Sequence, residues 1–111
     1  MLTESDWEGD LIYIGADRDV VLSGFRIRAD GTYLNAATAT WSLKNASLAE
    51  QATGSLAYVA SSNGNYLGCI DAVVTAALAE NALYAVDVAA AEDGYDDFRR
   101  LVCKAVYRRH V

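Results

Sequence analysis

The chain has 111 residues, 53% hydrophobic and 22% charged, and its 15 acids outnumber 9 bases to leave a net charge of -6. These values fit one compact domain with enough apolar surface for a core, and they exclude a disordered chain. The absence of proline excludes collagen-like, polyproline and proline-stiffened linker readings. No apolar run, Ala72–Ala79 included, approaches the roughly 20 residues of a membrane-spanning helix.

In chain order, residues 1–10 are acidic and carry no strand pattern, so they read as a flexible arm on a single domain over 11–111. The opening has neither the basic start nor the apolar run of a secretory signal, which predicts a chain made in a cytoplasm. Val20–Ser23 and Phe25–Arg28 read as strands flanking Gly24, with a bulge at the glycine, and Asp30–Gly31 as a turn. Thr38–Lys44 gives the clearest signal. Apolar Ala39, Trp41 and Leu43 alternate with polar neighbours, the period of a strand with one wet face.

Ser55–Val59 and Tyr66–Ile70 flank Asn63-Gly64, a pair that tolerates the positive φ of hairpin turns. Ala72–Leu83 has some helical periodicity, but the regular spacing of strands elsewhere favours a strand there too. Leu78, six residues before Tyr84, at the start of a strand, has the spacing of a tyrosine corner; an ordinary half-buried strand tyrosine is the competing reading. Ala85–Val88 then predicts Tyr84, Val86 and Val88 inward and Asp87 on the wet face. Phe98–Arg109 also places Phe98, Leu101, Val102, Ala105 and Arg109 on one helical face, but the need for a final strand favours a closing strand with Leu101, Cys103, Ala105 and Tyr107 inward. Together these elements predict an all-β fold: an immunoglobulin-like antiparallel β-sandwich of about seven strands.

Chemistry-bearing constellations are few. The single histidine, His110, is penultimate and a poor preorganised base, and no Gly-x-Ser-x-Gly motif is present. Cys69 and Cys103 read as small buried hydrophobes, with a cross-sandwich disulfide as the competing pairing. With one histidine they make no structural zinc site, and Glu92–Asp97 lacks the ordered spacing of a calcium loop. No glycine-rich phosphate cradle occurs, so no cofactor and no metal are expected.

Charge is segregated: residues 1–97 hold 4 bases and 15 acids, whereas 98–111 hold Arg99, Arg100, Lys104, Arg108 and Arg109 and no acid. The acidic body argues against nucleic-acid affinity. The basic tail suits a contact with a neighbouring protein or a second copy; a strand with a solvated face is the simpler explanation. Trp7, an aromatic in a polar arm, suits a partner's pocket. The predicted partner contacts are therefore Trp7, Arg99, Arg100, Lys104, Arg108 and Arg109.

The succession Asp19-Val20-Val21-Leu22, Arg28-Ala29-Asp30-Gly31-Thr32, Ala39 to Ala46, Leu56-Ala57-Tyr58-Val59, Asn63-Gly64-Asn65-Tyr66, Leu83 to Val88 and Ala105-Val106-Tyr107-Arg108 resembles small immunoglobulin-like structural proteins of tailed phages and prophages. The resemblance covers most of the chain and rests on strand pattern and turn placement. It implies a non-enzymatic virion protein made in the bacterial host cytoplasm, contacting other virion proteins at the head–tail junction or in the tail. A different class, a carbohydrate-binding or adhesive module using Tyr66 or Tyr95, is the alternative.

Overall fold

The structure, a computed structural model, describes residues 1–109. Its strands are β1 (Leu11–Tyr13), β2 (Arg18–Leu22), β3 (Thr38–Lys44), β4 (Glu50–Tyr58), β5 (Tyr66–Ile70), β6 (Leu83–Glu92) and β7 (Tyr95–Val106). Hydrogen bonding orders them β1-β7-β6-β3-β4-β5-β2. Strand β4 turns this ribbon into two layers: its residues as far as Leu56 pair with β3, and Ala57 and Tyr58 pair with β5. The result is an all-β sandwich, with β2 and β5 facing a larger sheet of β1, β7, β6, β3 and β4.

Every strand pair is antiparallel except one. Strand β1 runs parallel to β7, with Leu11 opposite Lys104 and Tyr13 opposite Val106. After Tyr13 the chain crosses to the other layer as β2 instead of returning beside itself, so no hairpin sets the direction of β1. The two edges are stapled where Arg18 Nη1 donates to the Leu11 carbonyl at 2.8 Å.

Alternation in β3 places Ala39, Trp41 and Leu43 in the core between the layers. The Trp41 indole lies over Gly54, where a Cβ would approach within 2.6 Å, so the missing side chain on β4 makes room for the ring. Ile12, Leu22, Leu43, Tyr66, Ile70 and Cys103 are fully enclosed. The Tyr66 hydroxyl is satisfied, donating to the Leu34 carbonyl and accepting from the Ala37 N–H.

The strand expected over Ala72–Leu83 is replaced by one helical turn, α1 (Ala72–Thr75), and a loop. This segment leaves β5 in one layer and must enter β6 in the other, so it cannot lie along either sheet. The Asp17 carboxylate accepts from the Ala72 N–H, and Thr75 Oγ1 donates to the Ala16 carbonyl. The tyrosine corner is present: the Ala79 N–H donates to the Tyr84 hydroxyl at 2.8 Å, with Leu78 and Tyr84 both buried.

Phe25–Arg28 forms no strand, only a bridge between Arg26 and Tyr33, and Gly24, two residues past the end of β2, takes φ +66° in the connection where a bulge was expected. The β4–β5 hairpin forms, but Ser61 and Gly64, not Asn63, take the left-handed conformation.

Residues 1–10, expected as a flexible arm, lie on the outer face of the larger sheet. The Leu2 N–H donates to the Ala46 carbonyl, and Leu2, Leu83 and Ala85 form a second small core with Trp7 and Val102 packed on it.

Candidate functional site

Along the outer face of the larger sheet, register places Ser42, Asp87 and Arg100 side by side on β3, β6 and β7. Asp87, expected on a wet face, is 3% exposed. Its carboxylate accepts from Arg100 Nε and Nη2 at 2.7 and 2.8 Å and pairs with Lys44 Nζ at 2.9 Å. Burial pushes the Asp87 carboxyl up, but the hydrogen bonds and charges of Arg100 and Lys44 outweigh it and hold the group below its ordinary value. Asp87 in turn raises Arg100.

Of the remaining predicted contact residues, Trp7, Arg99, Lys104 and Arg108 are also turned onto their own chain. Lys104 Nζ pairs with Glu4 at 3.1 Å and sits 4.1 Å from the centre of the Trp7 ring. Trp7 Nε1 donates to the Asp10 carbonyl. Arg99 Nε pairs with Asp97 at 3.0 Å, and the Arg108 guanidinium lies 4.6 Å from the centre of the Tyr13 ring. Arg109 is exposed. His110 lies outside the described residues.

The thiols differ from each other. Cys103 is buried and pushed up to about 11 by that burial. Cys69 is exposed, contrary to expectation, because it faces outward on β5; it is pushed up by desolvation and then by the charges of Asp17, Asp71 and Asp19. Both are held as thiols at neutral pH, the unreactive form.

A cleft of about 880 Å³ opens at one end of the sandwich, between the loop after β2 and the β6–β7 turn. Its lining includes Arg26, Arg28, Tyr33, Tyr95, Asp97 and Arg99. Phe25 is buried and Ile27 packs on the core, so the alternating Arg26 and Arg28 face outward into the cleft. The 26–33 bridge sets Tyr33 opposite Arg26, and Gly31, at φ +74°, closes the turn between them.

Both walls are fixed. The Phe25 N–H donates to the Gly64 carbonyl, the Gly24 N–H to Asn65 Oδ1, and the Gly64 N–H to Asn35 Oδ1. Gly64 is indispensable to this seam, since a Cβ there would lie 2.3 Å from the Phe25 carbonyl oxygen. Across the cleft, Arg99 Nη1 donates to the Ser23 carbonyl at 3.3 Å and the Ala36 N–H to Glu92 Oε1 at 2.6 Å. A concave site with rigid walls and a few polar and aromatic groups is suited to recognition.

Of the residues predicted from sequence, Arg99 lines this cleft and Tyr95, named for the sugar-binding alternative, stands 46% exposed at it; Tyr66 is enclosed. Arg26, Arg28 and Tyr33 were not anticipated. The available signal was that two of only four bases among residues 1–97 fall beside the Asp30-Gly31 turn. Comparison with protein-family models, curated proteins and solved structures found no match.

Proposed function

We propose that this chain is a non-enzymatic binding domain that makes protein–protein contacts as a structural component of a tailed-phage virion, at the head–tail junction or in the tail. The observation that carries the binding role is the rigid, open cleft at the loop end, lined by exposed arginines and tyrosines. The virion setting is supported by the resemblance in strand pattern and turn placement. A non-enzymatic role is supported by the two thiols, both pushed toward the protonated, unreactive form.

Mass spectrometry of purified particles from the source strain tests the setting. The chain is expected at a fixed copy number per particle, and its absence from particles overturns the virion role. Tyr33 and Tyr95 at the cleft favour a second reading, a carbohydrate-binding module, since exposed aromatic rings offer stacking surfaces for sugars. Glycan-array binding lost on Tyr95→Ala would replace the first reading by this one.

A further inference from the structure

We propose that the cleft binds an extended acidic segment of a partner protein, with its carboxylates on Arg26 and Arg28 and intervening side chains against Tyr33 and Tyr95. This rests on the binding-domain reading and names the chemistry of its ligand.

Charge pairing is the first argument. Lys44, Arg99, Arg100 and Lys104 are paired with carboxylates of the chain, Arg18 is bound to a backbone carbonyl, and Arg108 lies on Tyr13. Arg26 and Arg28 have no ion-pair partner among the described residues, although the chain holds 15 acids. Inside the cleft Asp97 is engaged by Arg99, and Asp96 forms no ion pair with either arginine among the described residues. Two guanidiniums left without an ion-pair partner on a loop whose residues 23–25 are held by hydrogen bonds to Arg99, Asn65 and Gly64 are prepared for an incoming anion.

Placement is the second argument. Arg26 and Arg28 are both exposed and line the cleft on either side of Ile27, which packs on the core, so both guanidiniums are open to the carboxylates of one ligand. Tyr33 and Tyr95 provide the apolar contact that a peptide's side chains and backbone use and a simple anion does not. A nucleic acid is disfavoured: Asp96 also lines the cleft and the chain carries -6 overall, so a polyanion extending beyond the two arginines meets repulsion.

The full chain is titrated, by fluorescence anisotropy, with a labelled peptide of alternating Ser and Glu ending in Tyr, and with the same peptide carrying Gln for Glu. Binding of the acidic peptide is expected to be at least about tenfold tighter than that of the Gln peptide and to weaken as salt is raised. The R26Q/R28Q double variant, checked for an unchanged melting temperature, is expected to lose at least about tenfold in affinity. Equal affinity for the two peptides, or unchanged affinity in the double variant, overturns the proposal. So does binding of an oligodeoxythymidylate or a sialylated glycan in place of the acidic peptide. A chain found in particles but indifferent to the acidic peptide removes this inference and leaves the virion role standing.

Discussion

Along β7, Arg99, Arg100 and Lys104 end on Asp97, Asp87 and Glu4, while across the cleft from Arg99 the loop residues Arg26 and Arg28 form no ion pair among the described residues. The tail is where the sequence concentrates positive charge, yet three of its five cations, Arg99, Arg100 and Lys104, are engaged by carboxylates of the chain. The sparse pair in the acidic body lines the cleft without such a partner. Charge density along a chain thus reports how many charges there are, and tertiary pairing decides which of them are available.

The contrast breaks first at Asp87. Asp87→Ala is expected to lower stability by about 2–3 kcal/mol in urea titrations at neutral pH, because it strands Arg100 and Lys44 beside a small core. Since the Asp87 carboxyl is held below its unfolded value, its contribution is complete above that value and is lost as pH falls through the lowered one. The parent's advantage over Asp87→Ala should therefore shrink in acid, and an advantage independent of pH would show the pair to be unimportant. Next, Trp7→Ala is expected to cost about 2 kcal/mol, read as a lower melting temperature, because the ring packs on Leu83 and Ala85 under Lys104. Unchanged melting would instead return Trp7 to the role of a free anchor. The smallest effect is expected for R26Q/R28Q, within about 0.5 kcal/mol of the parent in the same titration, since neither side chain supports the fold. A larger loss would mean that the loop arginines, like those of β7, serve structure.

Features set by neighbours in sequence were legible. The alternation of β3, the closing strand and the tyrosine corner depend on spacing within a dozen residues, and the Ala79–Tyr84 hydrogen bond formed where Leu78 and Tyr84 pointed; the closing strand ends at Val106, so Tyr107, expected inward, is exposed. Features set by contact between distant segments were not. Asp87 alternates as a solvent-facing residue should, but Leu2 and Trp7, some eighty positions away, build a second core on that face. The helical turn of Ala72–Thr75 answers to the need to cross between layers, which periodicity does not encode. The cleft joins residues 23–33 to residues 95–99, and Cys69 is exposed because none of the described residues covers the outer face of β5.

Strand β7 runs from the cleft at Tyr95 to Val106, which lies beside Tyr13, and Leu2 is bonded to Ala46 at that same far end of β3. Twelve residues of strand span roughly 40 Å, close to the 43 Å long axis of the molecule. The domain therefore has a handle and a reading head at opposite poles. A surface, tag or neighbouring subunit attached near Leu2 or Val106 leaves the arginine cleft pointing away from the attachment and open to whatever approaches.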